Sequence, residues 1–258
     1  LSGLGGVRNL VRQELVARQL AEQITEHFDT TLADGSERAL RVLDVGCGQA
    51  TQAVRLARAG HLVTGLDPDP ASLGAAQHLL AGETPEVRQR VTLLTAEGGD
   101  CGRWFGPGSF DVVLCHGVLM YMPDAEPMLA SLARVLAPGG MLSVVVRNGD
   151  ALAMRPGCGG DWGGAMEAFG SERYTNRLGV PTRADRLEPL TRTLTEIDVP
   201  LRHWYGVRVF TDQTPDHVPA PADGRQLAQL LDAEERAGRT DPYRSVAALL
   251  HLVGTRRR

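Results

Sequence analysis

Arg41 to Gly60, RVLDVGCGQATQAVRLARAG, constrains this chain more than any other stretch. A short apolar run, Val42 to Val45, meets a glycine-rich turn, Gly46-Cys47-Gly48-Gln49-Ala50. A helical pattern follows, with apolar residues at Ala53, Leu56, Ala57 and Ala59. The order is strand, tight loop, helix. Glycines let the backbone turn sharply and approach a ligand with no Cβ in the way. The unpaired N–H groups that open the helix can hold a polar or anionic group. The loop therefore reads as a cradle for a nucleotide-type ligand.

A dinucleotide site expects G-x-G-x-x-G/A. Here the last position falls on Thr51, and the spacing is G-x-G-x-A instead. A second acid, Asp67, ends the next apolar run, His61 to Leu66. A carboxylate at the end of the second strand of such a unit can accept both ribose hydroxyls. With V-L-D-V-G-C-G and Asp67 in place, the sequence resembles the class I S-adenosylmethionine (SAM) dependent methyltransferases. Their first motif usually ends in Gly; here Ala50 stands there, which slightly narrows the space beside the methionine part of the cofactor.

Strand and helix patterns alternate through the first half. Residues 9–33 read as a helix, with Leu10, Leu15, Val16, Leu20, Ile24, Phe28 and Leu32 broadly on one face. Strands are expected at 41–45, 62–66, 91–95, 110–115 and 141–146, and helices at 50–59, 71–81 and 124–136, the last stopped by Pro138-Gly139-Gly140. The run Phe110 to Cys115 suits the sheet centre. Such alternation means parallel strands with helices on both faces and ligands at the strands' carboxyl ends. Residues 148–182, with Arg155, Trp162, Phe169, Arg173, Tyr174 and Arg177, read as an inserted lid whose aromatics would be costly in a loose loop. Beyond it, Arg183 to Leu194 reads as a helix, Ile197 to Phe210 as one extended segment, Ala222 to Ala237 as a polar helix and Ser245 to Val253 as a closing strand.

At 258 residues the chain suits one α/β domain: 1–147 a cofactor half with a capping helix, 148–182 the lid, 183–258 the acceptor side. The net charge of −4 makes no overall case for nucleic acid, although a local patch can still form. All 27 basic residues are Arg, read here as compositional drift. Cys47, Cys101, Cys115 and Cys158 form no C-x-x-C pair, and no two histidines share ligand spacing, so no metal site is expected. No apolar stretch reaches transmembrane length and no signal-peptide pattern opens the chain, so a cytoplasmic protein is expected. The absent initiator Met points to further residues upstream.

The resemblance extends, patchily from 148 to 205, to the bacterial tRNA 5-carboxymethoxyuridine methyltransferase group. It rests on L-A-P-G-G-x-L-S, the Asn148 stretch with Gly160-Asp161-Trp162, G-V-R-V-F-T-D and Asp241-Pro242-Tyr243. It implies a Rossmann-like doubly wound sheet of about seven strands, mostly parallel with an antiparallel C-terminal strand. By it, Arg12 would meet the cofactor carboxylate, a bidentate match. Gly46, Cys47 and Gly48 would lie against the methionine moiety, Asp67 would take the ribose, Ala96 and Glu97 would border the adenine, and His116 would line the pocket. The cofactor would be SAM and the product S-adenosylhomocysteine (SAH). Arg147, Arg155 and the segment Ser171 to Gly179 depart from that group's pattern, which leaves a tRNA uridine and a small acidic metabolite both open as acceptors. Tyr121, Asn148, Trp162, Tyr174 and Arg208 are the acceptor-side candidates. No catalytic base is singled out, since an in-line methyl transfer needs one only for a protonated acceptor; for His116, cofactor contact stands ahead of proton transfer. The competing readings are an NAD-dependent oxidoreductase, opposed by Thr51 and by the absence of any Lys, and a SAM-binding regulator without turnover.

Overall fold

The computed structural model describes residues 6–29, 38–176, 179–215 and 217–258. The chain opens with α1 (Val7–His27), followed by β1 (Arg41–Val45), α2 (Thr51–Arg58), β2 (Leu62–Asp67), α3 (Pro70–Ala81), α4 (Pro85–Gln89) and β3 (Val91–Thr95). Next come α5 (Cys101–Trp104), β4 (Phe110–His116), α6 (Glu126–Val135) and β5 (Leu136–Arg147). The inserted stretch holds α7 (Met154–Cys158), α8 (Trp162–Phe169), β6 (Arg173–Thr175) and β7 (Pro181–Arg183). The chain then closes through α9 (Leu187–Glu196), β8 (Leu201–Val207), α10 (Gly224–Arg239) and β9 (Leu249–Thr255).

Seven strands form one sheet in the order β3-β2-β1-β4-β5-β9-β8. β1 to β5 pair in parallel, and β9 runs antiparallel to both β5 and β8. β4, apolar apart from Asp111 and His116, lies centrally between β1 and β5, buried from Phe110 through Cys115. One face packs Val11, Leu15 and Leu20 of α1 against Val112, Leu114 and Val253. The other packs Leu129 and Leu132 of α6 and Leu190 and Leu194 of α9 against Leu43, Val113 and Leu142. Helix starts follow local chemistry: Asp69 caps α3 by accepting from the Ala71 and Ser72 N–H groups, with Pro70 at the first helical position.

The sheet and its antiparallel closing strand match the sequence reading; several boundaries do not. α1 stops at His27, where Phe28 turns extended, and the predicted extension through Leu32 lies outside the described residues. β5 begins at Leu136 because Leu136 pairs with Phe110 across an irregular Ala-Pro-Gly-Gly step. The extended segment predicted from Ile197 is interrupted at Asp198, whose φ is +66°, and only Leu201–Val207 is strand. Arg183 belongs to β7, and the helix after it begins at Leu187. A 3-10 turn, Tyr243–Val246, occupies the expected start of the last strand. The 148–182 stretch is built from α7, α8 and the β6–β7 hairpin, yet Trp162 and Phe169 are 72% and 69% exposed, so aromatic burial does not hold it together. Arg177 lies outside the described residues.

Candidate active site

The loop between β1 and α2 needs its glycines. Gly46 and Gly48 have φ of +66° and +55°, and a Cβ on Gly46 would strike the Val118 side chain. Around Gly48 there is open space within 4 Å of where a Cβ would stand. Ala50 also takes a left-handed conformation, at the N-cap of α2, and makes no side-chain cap there. Asp67, buried at the end of β2, ties the loop down: its Oδ2 accepts from Gly48 N at 2.8 Å and its Oδ1 from Asp69 N at 2.9 Å. Each carboxylate oxygen keeps a lone pair for a further donor. Cys47 donates its N–H to Leu66 O, and burial together with Asp44 and Asp67 pushes its thiol up, so it is no nucleophile at neutral pH. Asp44 of β1 is buried, and that burial, with the charge of Asp67, raises its carboxyl to about 7. Ala96 donates its N–H to Asp67 O at 3.3 Å; Glu97 beside it is exposed.

A cavity of about 750 Å³ opens at the carboxyl ends of β4 and β5. Arg12, His116, Tyr121, Tyr174 and Arg208 all face it. Gly46, Gly48 and Asp67 are not in its wall, but Val118, which covers Gly46, is one residue beyond Gly117, which is. Asn148 is spent elsewhere. Its Nδ2 donates to Ser245 O and Ala247 O at 3.0 and 2.9 Å and its Oδ1 accepts from Asp150 N, so it pins backbone and does not meet an acceptor. Trp162 is also outside the wall, because α8 turns it to solvent; its neighbour Asp161, the cap of that helix, lines the cavity instead.

His116 is held from behind. Its Nε2 lies 2.8 Å from Ser143 Oγ, Ser143 Oγ lies 2.8 Å from His251 Nε2, and His251 Nδ1 lies 2.7 Å from Gln19 Oε1. An amide oxygen only accepts, so His251 donates from Nδ1 and its Nε2 accepts the Ser143 hydroxyl proton. The Ser143 oxygen then accepts from His116 Nε2–H, which leaves Nδ1 of His116 as a lone pair for a ligand. Turning the Gln19 amide over would reverse every proton in this chain, so Gln19 sets which tautomer His116 presents. Burial, with the nearby His251 and Arg12, holds His116 well below the ordinary histidine range, and burial brings His251 to about 3. Both rings are therefore neutral at physiological pH.

In the same cavity two arginines share one carboxylate. Arg147 Nη1 is 3.3 Å from Asp212 Oδ2 and Arg208 Nη2 is 3.1 Å from Asp212 Oδ1, while Arg8 Nη1 donates to the Asp212 carbonyl at 3.1 Å. Burial lowers the Arg208 guanidinium to about 10, leaving it charged at neutral pH. Arg208 has φ of +62° and sits at the start of a turn gathered by Glu234. That fully buried carboxylate accepts from Val209 N at 2.7 Å, Phe210 N at 3.2 Å, Thr211 N at 2.7 Å and Thr211 Oγ1 at 2.6 Å. Glu234→Ala should therefore cost about 3 kcal/mol, since four donors lose a charged acceptor. Urea unfolding checks this, and a loss below about 1 kcal/mol would show that the turn holds without Glu234.

Sequence reasoning did not nominate Ser143, His251, Gln19 or Asp212. Arg147 was noticed only as a departure from a pattern, although its place at the carboxyl end of a strand is the signal that finds it.

Residues 43–144 match the family model described as "Methyltransferase domain". Ubiquinone biosynthesis O-methyltransferase of Paracidovorax citrulli is 34% identical over 158 residues, 58% of this chain and 64% of the relative. The corresponding enzyme of Albidiferax ferrireducens is 38% identical, with 65% of this chain and 63% of the relative matched. The chain thus spans less than two thirds of the length of these two relatives. tRNA 5-carboxymethoxyuridine methyltransferase of Escherichia coli K12 is 26% identical over 229 residues, covering 88% of this chain and 84% of the relative. Among solved structures, magnesium protoporphyrin IX methyltransferase of Synechocystis PCC 6803 with bound SAH superposes with a TM-score of 0.60 at 17% identity, covering 96% of this chain and 85% of that one. The S-adenosylmethionine dependent methyltransferase of Mesorhizobium loti gives 0.59 at 17% identity, with 95% and 100% covered.

Proposed function

We propose that this chain, whose residues 43–144 form a class I SAM-dependent methyltransferase domain, transfers a methyl group from SAM to an oxygen or nitrogen of an acceptor seated in the cavity. The observation that carries the reading is Asp67: a buried carboxylate at the end of β2, bound to the glycine loop and still able to accept two hydroxyls. The uncapped start of α2 and the open space at Gly48 fit the same cofactor.

Bound SAM supplies a methyl group on a sulfonium sulfur, already activated for displacement. The residues have separate tasks. Asp67 takes the ribose, and Ala96 and Glu97 border the adenine. Gly46, Cys47 and Gly48 lie along the methionine part, and Arg12 meets its carboxylate. Asp44, beside Asp67, adds negative charge that favours a cationic ligand as it ionises. His116 offers a neutral ring nitrogen that accepts a hydrogen bond from a protonated acceptor, held in line by Ser143. Tyr121 and Tyr174 flank the acceptor, and positioning supplies much of the acceleration.

The match to the tRNA methyltransferase over most of both chains supports a tRNA uridine as acceptor; the O-methyltransferase relatives support a small molecule. No helix among the described residues is long and apolar enough to cross a membrane, and no group of three or more His, Cys, Asp or Glu side chains placed to hold a metal ion occurs among them. Calorimetric titration with SAM, SAH and NAD tests the cofactor. SAH should bind in the micromolar range and NAD should not; NAD binding without SAH binding would overturn the reading. Turnover assays with tRNA lacking the modification then decide between the two acceptors.

A further inference from the structure

The chain carries a net charge of −4, yet Arg8, Arg12, Arg147, Arg155, Arg173 and Arg208 all line the cavity, against the carboxylates of Asp161 and Glu167. Composition cannot produce that concentration; the fold does, by bringing the ends of α1, β5 and β8 to one place. Arg147, which is buried, and Arg208, whose side chain is 16% exposed, share one partner. They divide a single carboxylate, Asp212, so the pair has one more positive charge than the carboxylates it meets among the described residues. Their Nε–H groups are buried and have no hydrogen-bond partner. Asp161 is occupied in capping α8 through Gly164 N at 2.9 Å. A guanidinium excess of this kind is unfavourable unless a ligand anion completes it. Arg155 and Arg173 at the exposed rim have no ion-pair partner among the described residues and would draw such an anion inward.

We propose that Arg147 and Arg208, braced by Asp212, anchor a non-reacting carboxylate or phosphate of the methyl acceptor. The proposal rests on the methyltransferase reading and adds the acceptor's chemical class. Charge-assisted hydrogen bonds from guanidinium groups stabilise an anion and so lower its nucleophilicity toward a methyl group. The anchored group is therefore a handle, and the reacting oxygen or nitrogen is a second group on the same molecule, lying toward His116 and Arg12. The Arg147 guanidinium also stands 5.5 Å from the centre of the Tyr174 ring, which gives a flat acceptor a face beside its anion. A molecule with two polar ends fits a cavity of about 750 Å³.

The test uses the whole chain saturated with SAH. Inorganic phosphate, phenyl phosphate, 4-hydroxybenzoate and the uncharged 4-hydroxybenzamide are titrated separately by calorimetry. At least one aromatic anion should bind about 10-fold or more tighter than the amide, and Arg208→Gln and Arg147→Gln should each remove about that factor while SAH affinity is unchanged. Preference between the phosphate and carboxylate probes identifies the handle. Anions that bind no better than the amide, or that bind the two variants as well as wild type, overturn the proposal. The wild-type comparison stands even if a variant fails to fold. Failure of the methyltransferase reading is read separately, as loss of SAH binding by the wild-type chain.

Discussion

Asp67→Ala should abolish cofactor binding, with SAH affinity falling by about 100-fold or more. Two ribose hydroxyls donating to one carboxylate are each worth about 1.5–3 kcal/mol, and a factor of ten is about 1.4 kcal/mol. The change also removes the acceptor of Gly48 N and Asp69 N, so the loop that carries the left-handed Gly48 loses its tether. Asp67→Asn separates the two effects. It keeps one oxygen and the shape but loses the charge and half of the acceptor capacity, so it should bind more weakly than wild type and better than Asp67→Ala. Calorimetry with SAH measures both. Unchanged affinity in Asp67→Ala would remove the ribose assignment.

The second expectation concerns acid stability, where the two halves of the site pull in opposite directions. His251 is neutral and buried, with its ring brought to about 3. Above pH about 6.5 neither folded nor unfolded chain protonates it, and its full contribution is present. As the pH falls through that value, the unfolded chain takes up a proton that the folded chain refuses. Stability then declines until about pH 3, by an amount on the order of 5 kcal/mol. His116 adds in the same direction. Asp44 opposes them. Its folded carboxyl is raised to about 7, so the folded chain holds a proton that the unfolded chain releases above about 3.8. Acidification from pH 7 toward 4 therefore returns stability, on the order of 4 kcal/mol. In the wild-type profile Asp44 offsets part of the loss from the two histidines, and single variants uncover each side. Asp44→Asn should lose stability steeply between pH 6.5 and 4, whereas His251→Gln should gain over the same range relative to wild type. Urea unfolding at pH 7.5, 6 and 4.5 reads both slopes, and parallel profiles for the two variants would refute the assignment.

Much of the cofactor half was legible because its signals are local. Two glycines that need positive φ, an acid at a strand end and a run of buried apolar residues are contiguous in sequence, and each has a single structural reading. The wall of the cavity was less legible because its geometry is made by distant pairs. Gln19 and His251 are 232 positions apart and Arg147 and Asp212 are 65 apart, and nothing in the neighbourhood of either residue announces its partner. Asn148 and Trp162 mislead for a physical reason. A polar residue at a strand end can as well secure backbone as bind a ligand, and an aromatic residue in a short helix can face solvent when its cap, here Asp161, fixes the helix rotation. Leu136 to Gly140 has the composition of a helix stop and nevertheless leads into β5, since the pairing of Leu136 with Phe110 outweighs local propensity.

The inserted stretch with α7, α8 and the β6–β7 hairpin supplies one wall of the cavity, whereas the glycine loop, Asp44 and Asp67 belong to β1, β2 and the turn between them. The two regions share no strand. Descendants of this chain can therefore vary the wall that carries Arg155, Asp161 and Tyr174 while the Arg147–Asp212–Arg208 group and the glycine loop stay as they are. A graft of this insertion from a relative would thus reshape the mouth of the cavity and leave its anchoring charges in place.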